Sequence, residues 1–253
     1  IDNRTNSIRN YTKKYSEVGS DNVYSLAKDP NGNIWIGTLN GLSVYDPKKE
    51  VFLPFSSFLP EYMKSNEHLN NISKYHIYAL FLDSKLRMWF GTETGIYTYS
   101  FRNNEIKEYK IGTEAYSSSK SRVYSIYEDN KQRIWVGTNL GLSSFDEASQ
   151  GFKTITTAEG LPNNNIYGIL QDSFGRLWLS SNRGLACYNP KNEEIRTYTL
   201  LDGLQGEQFN NYAYCKTSSG EMFFGGINGI TSFFPEQLTD NPFTPPVMIT
   251  QLQ

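Results

Sequence analysis

The segment Val23-Tyr24-Ser25-Leu26-Ala27-Lys28-Asp29-Pro30-Asn31-Gly32-Asn33-Ile34-Trp35-Ile36-Gly37-Thr38-Leu39-Asn40-Gly41-Leu42-Ser43-Val44-Tyr45-Asp46 holds the pattern that decides the fold. Tyrosine and aliphatic residues alternate along Val23-Tyr24-Ser25-Leu26, as a half-buried strand requires. Asp29-Pro30-Asn31-Gly32-Asn33 then reads as a hairpin turn, because Asp bonds its own backbone two residues on and Gly accepts positive φ. The Trp35 strand follows, a second tight turn falls at Gly41, and Leu42 to Tyr45 returns as a third strand. A fourth strand is expected over Val51–Phe55.

The pattern recurs five times. Tyr24, Tyr78, Tyr124, Tyr167 and Tyr212 each precede a large ring by eleven residues: Trp35, Trp89, Trp135, Trp178 and Phe223. Six residues after the ring stands Gly41, Gly95, Gly141, Gly184 or Gly229. Successive rings lie 54, 46, 43 and 45 residues apart. Further fourth strands are expected at 105–109, 152–155 and 195–198. Four antiparallel strands at a period near 45 residues describe a propeller blade, so the chain is expected to be all-β, with the Trp column buried between blades. Helical periodicity is absent, which argues against α-solenoids and βαβ folds; a β-sandwich of regular hairpins is the remaining alternative.

The expected blades cover about 17–57, 74–112, 118–157, 160–200 and 205–238. Ser7-Ile8-Arg9-Asn10-Tyr11-Thr12 resembles the fourth strand at Glu194-Ile195-Arg196-Thr197-Tyr198-Thr199. Residues 1–16 are therefore read as the outer strand of a preceding blade or of the last one, which would close the ring at five. Residues 239–253, with Pro242, Pro245 and Pro246, read as an extended linker leaving the ring.

Aromatic residues form 15% of the chain, enough to build a core although apolar residues reach only 38%. A formal charge of −2 without long charge runs gives no sign of a nucleic-acid or anionic-membrane surface. The longest apolar run, 77–82, is far too short to span a bilayer. Cys187 and Cys215 lack metal-ligand spacing and are expected to be buried free thiols. No metal or other cofactor is implied.

Ligands of propellers bind where fourth-to-first and second-to-third strand loops gather. Two residues before each repeat tyrosine stand Asn22, His76, Arg122, Asn165 and Asn210. The second-to-third loops add Asn40, Glu93, Asn139, Asn182, Arg183 and Asn228. These side chains can donate to and accept from sugar hydroxyls; as ordinary turn residues they would instead satisfy local backbone. The candidate site is His76, Arg122, Asn165, Asn182, Arg183 and Asn210, where variation between blades suits an asymmetric ligand. The insertion 56–74, with Phe58, Leu59, Tyr62 and His68, is a second candidate surface. The repeat Trp, Tyr and Gly residues are read as structural.

Gly32-Asn33-Ile34-Trp35-Ile36-Gly37-Thr38 with Gly41-Leu42, and the copy at Ile134-Trp135-Val136-Gly137-Thr138 with Gly141-Leu142, resemble the regulator-propeller repeats of Bacteroidetes hybrid two-component sensor kinases. Gly203-Leu204-Gln205-Gly206-Glu207-Gln208-Phe209-Asn210 with Phe223-Phe224-Gly225-Gly226-Ile227-Asn228-Gly229-Ile230 resembles the closing blade of that family's second propeller. Residues 241–250 resemble the lead-in to its Ig-like domain. The resemblance implies a fragment of a seven-bladed ring on the periplasmic side of the inner membrane. The receptor it implies is a homodimer anchored through segments outside this chain, with its histidine kinase also outside. It further implies an oligosaccharide ligand and no enzyme activity in the chain itself. Two other functions remain open. One is a protein-docking scaffold without a small ligand. The other is a propeller lyase, similar in repeat to those that open streptogramin antibiotics and needing a base such as His68 or His76.

Overall fold

The computed structural model describes residues 8–14, 16–55, 72, 75–111 and 121–238. Blade 1 comprises β1 (Val23–Lys28), β2 (Ile34–Thr38), β3 (Gly41–Asp46) and β4 (Val51–Pro54). Blade 2 comprises β5 (Ala79–Leu82), β6 (Arg87–Gly91), β7 (Ile96–Ser100) and β8 (Ile106–Tyr109). Blade 3 follows with β9 (Val123–Glu128), β10 (Ile134–Thr138), β11 (Leu142–Asp146) and β12 (Gly151–Ile155). Blade 4 has β13 (Ile166–Gln171), β14 (Leu177–Ser181), β15 (Leu185–Asn189) and β16 (Glu194–Tyr198). Blade 5 has β17 (Phe209–Lys216), β18 (Met222–Gly226) and β19 (Gly229–Phe233). Each blade is an antiparallel meander, four-stranded in blades 1 to 4 and three-stranded in blade 5. Among the described residues no helix is long and apolar enough to cross a membrane.

The Trp column sits where the repeat places it. Trp35, Trp89, Trp135 and Trp178 are 0–3% exposed. Each lies in an apolar cluster that joins its blade to the next, giving four interblade cores in sequence. The turn aspartates do more than shape the hairpin. Asp29, Asp83, Asp129 and Asp172 accept the indole N–H of the tryptophan six residues on, at 2.8–3.0 Å. Their other oxygen accepts backbone N–H groups of the same turn. One buried carboxylate thus fixes both hairpin and core ring. In blade 5 the set changes together: Thr217, Glu221 and Phe223 stand where Asp172, Arg176 and Trp178 stand in blade 4. The Thr217 hydroxyl takes over the turn, accepting the Glu221 N–H at 3.1 Å.

The glycine column has a steric cause. Gly141 and Gly184 have φ of 135° and 80°, and a Cβ at either would run into the carbonyl oxygen of Ile155 or Tyr198 on the fourth strand. Only glycine lets the second-to-third turn lie so close to the outer strand.

Two expectations need correction. Residues 8–14 carry no strand and do not extend β19, so these residues do not complete blade 5. Tyr11 instead packs on Tyr45 and Phe52 of blade 1, with centroids 5.4 and 5.1 Å away. Tyr109 of β8 meets Phe145 and Phe152 of blade 3 in the same way. Tyr11 and Tyr109 thus make similar ring contacts against the third and fourth strands of blades 1 and 3. The second correction is Cys215, which is exposed while Cys187 is buried. Both lie in strands, but among the described residues no sheet covers that face of blade 5. Residues 239–253 fall outside the described residues. So does the insertion with Phe58, Leu59, Tyr62 and His68, except for Ile72, which is buried in the first interblade core.

Candidate functional site

In blades 1, 3, 4 and 5 the first strand is irregular at one place. In blade 1, Val23 pairs with Thr38 and Ser25 with Gly37, leaving Tyr24 without a partner. Tyr124 and Tyr167 occupy the same bulge in blades 3 and 4. In blade 5 the slip widens between Phe209 and Tyr214, and Tyr212 takes a φ of 62°. A bulge re-aims the side chain at the extra residue. Here it turns the tyrosines toward one another where the first strands converge. Tyr24 lies 5.2 Å from Tyr78 and 5.9 Å from Tyr212, and Tyr124 lies 5.0 Å from Tyr167.

The candidate polar residues attach to this tyrosine cluster unevenly. His76 places Nδ1 3.1 Å from the Tyr78 hydroxyl, and its backbone N–H donates to Glu93 Oε2 at 2.9 Å. Arg122 is exposed, with its guanidinium carbon 5.1 Å from the centre of the Tyr78 ring, a cation–π contact. The Tyr167 hydroxyl donates to Asn182 Oδ1 at 2.9 Å. His76, Arg122 and Asn182 are thereby brought together through tyrosine rings. Asn165 is turned to its own loop, both its N–H groups reaching Asn163 Oδ1. Arg183 uses its backbone N–H on Ser181 Oγ and keeps an exposed side chain. Asn210 is exposed within the irregular start of β17. Among the other loop residues, Asn139 donates its backbone N–H to the Arg122 carbonyl and Asn228 donates its own to Gln205 Oε1.

Burial pushes the Tyr78, Tyr124 and Tyr212 phenols up, and the Arg122 charge opposes this at all three. These phenols remain protonated donors at neutral pH. The repeat spacing did not indicate that these tyrosines gather at the axis. Tyrosine and tryptophan recur at equal spacing, but in blades 1, 3, 4 and 5 the bulge separates the tyrosine at the axis from the tryptophan between blades. Among the described residues no group of His, Cys, Asp and Glu is placed to hold a metal ion.

Residues 17–40, 117–140 and 160–183 match the two-component regulator propeller family. The chain carries regulator-propeller repeats. Each matched segment runs from the loop before the first strand, through β1, β9 or β13, to the second-to-third turn. The matches therefore include Arg122, Asn165, Asn182 and Arg183 but neither His76 nor Asn210. No curated protein matches the chain. Among solved structures, it is similar to the extracellular domain of a hybrid two-component system from B. thetaiotaomicron. There the identity is 24%, the TM-score 0.56, and the match covers 91% of this chain and 36% of that one. A second such extracellular domain from the same organism gives 23%, 0.55, 88% and 29%. Virginiamycin B lyase from Staphylococcus aureus gives 17%, 0.57, 83% and 64%. The chain thus spans about a third of the two-component structures, and these likenesses establish its fold.

Proposed function

We propose that this regulator propeller is an extracytoplasmic sensor module of a two-component receptor, and that the face carrying its tyrosine cluster holds a glycan-derived oligosaccharide. A module that only relays binding made elsewhere in the receptor would use the same face. The observation that carries the reading is the contrast around the propeller axis. Five tyrosines repeat, while their polar neighbours are His76 in one blade, Arg122 in another and Asn182 in a third. Packing demands repetition, whereas an asymmetric ligand demands difference. The kinase, the membrane anchor and the second copy of a homodimeric receptor lie outside this chain. A ring with further blades is supported by residues of core columns that lie open on blades 1 and 5: Leu26 and Ile230 are 63% and 69% exposed, against 8% for Ile126 and 0% for Leu142.

Calorimetric titration of the chain with neutral and acidic oligosaccharides tests the reading. Binding weakened by Arg122→Ala or Arg183→Ala supports it. Binding indifferent to both moves the site away from this face. Protein docking is the second reading, supported by Leu201, which is 99% exposed at the tip of a 3-10 turn held by a Thr199–Asp202 capping box.

A further inference from the structure

We propose that the tyrosine-lined axis is an oxyanion receptor, in which Arg122 and the surrounding phenols hold the carboxylate or sulfate of an acidic oligosaccharide. This rests on the ligand-binding reading above and narrows it to a class of ligand.

The charge balance of the site is the first ground. Arg87, Arg133 and Arg176 all close on a buried turn aspartate at 2.6–2.7 Å. Arg122 forms no ion pair with any described residue; it spreads over the Tyr78 ring and remains exposed. Its charge acts on Tyr78, Tyr124 and Tyr212, so it stands among phenols of three different blades. The carboxylate that also acts on Tyr78 is Glu93, and one of its oxygens is already engaged by the His76 N–H.

The second ground is the hydrogen-bond inventory. The Tyr78 hydroxyl is held by His76 and the Tyr167 hydroxyl by Asn182. Among the described residues, the Tyr24 and Tyr212 hydroxyls have ring neighbours but no hydrogen-bond partner. Guanidinium has donors and no acceptor, and a phenol is a good donor. A site rich in donors, whose Arg122 makes no ion pair with any described residue, favours a group that only accepts and bears negative charge. Neutral sugar hydroxyls would leave the cation unanswered. Charge-assisted bonds from arginine to an oxyanion are about twice as strong as neutral ones.

The test is calorimetry on the intact chain with three probes of one length: trigalacturonate, a sulfated galactotriose and unmodified galactotriose. At least one acidic probe is expected to bind about tenfold or more tighter than the neutral one. Which of the two wins distinguishes carboxylate from sulfate. Arg122→Ala should abolish the preference and Arg122→Lys should retain part of it, with unchanged circular dichroism because the residue is exposed. Galactotriose binding as tightly as both acidic probes, or a preference that survives Arg122→Ala, overturns the oxyanion receptor and leaves the sensor reading intact. Binding of none of the three overturns it as well. The sensor reading fails only if a broad panel of neutral and acidic glycans is also silent.

Discussion

The Asp129 carboxylate accepts the indole N–H of Trp135 at 2.9 Å, in a site where Asp129 is 3% exposed. The same carboxylate receives the backbone N–H groups of Lys131 and Arg133 and the Arg133 Nε. Removing it strands several donors at once. Asp129→Ala is expected to cost about 3 kcal/mol or more in urea unfolding, whereas Asp146→Ala, at an exposed β11–β12 turn, should cost under about 1 kcal/mol.

Acid should act through the same residue. Burial by itself would raise the Asp129 carboxyl, but the bonds from Trp135, Arg133 and Lys131 outweigh it and hold the group below the ordinary carboxylate range. A depressed folded-state value means the stabilisation is complete above about pH 3.9 and is lost as pH falls through the folded value. Thermal melts from pH 6 down to pH 2 should show this loss in the wild type. The acid slope should be shallower in Asp129→Asn; equal slopes in the two proteins would remove Asp129 as its source.

Glycine substitutions should separate strain from strain plus collision. At Gly220, φ is 96° and nothing stands within 4 Å of an added Cβ. At Gly141 the added Cβ meets the Ile155 carbonyl. Gly220→Ala is expected to cost about 1 kcal/mol and Gly141→Ala about 3 kcal/mol, read from unfolding midpoints.

The two thiols should differ sharply toward iodoacetamide at pH 8. Burial pushes the Cys187 thiol up to about 11, and the residue is enclosed in the core between blades 4 and 5. Cys215 is exposed. Mass spectrometry should find Cys215 alkylated in the native protein and Cys187 only after unfolding. Equal labelling rates would mean that the face of blade 5 is covered or its core open.

The repeat made the blades legible because each needs the same Trp, the same turn aspartate and the same left-handed glycine. Register supplied what spacing could not. Tyr24 and Trp35 are both aromatic at fixed intervals, yet a single unpaired residue opposite Gly37 sends Tyr24 to the axis. The turn aspartates were readable as hairpin formers from their neighbours. Their bond to an indole six residues away depends on how the hairpin folds back, which only coordinates reveal. Asn165 and Asn210 were chosen by their place before the tyrosines. The structure turns Asn165 back on Asn163, because a short amide bonds its own loop more readily than it reaches across a channel.

The four apolar clusters join blades 1 to 2, 2 to 3, 3 to 4 and 4 to 5, and no such cluster joins 5 to 1 among the described residues. Apart from the Tyr24–Tyr212 ring contact at the axis, coupling in this stretch of chain is therefore one-dimensional, each blade packed on its nearest neighbours as in a linear repeat array. Blade 3 has two supporting interfaces and blade 5 has one, so unfolding should fray inward from the ends. Amide exchange should report it as a gradient, with β17–β19 exchanging well before β9–β11. A flank that docked onto blade 5 would slow that exchange without touching the middle of the array, a mechanical way for the edge of the propeller to register occupancy.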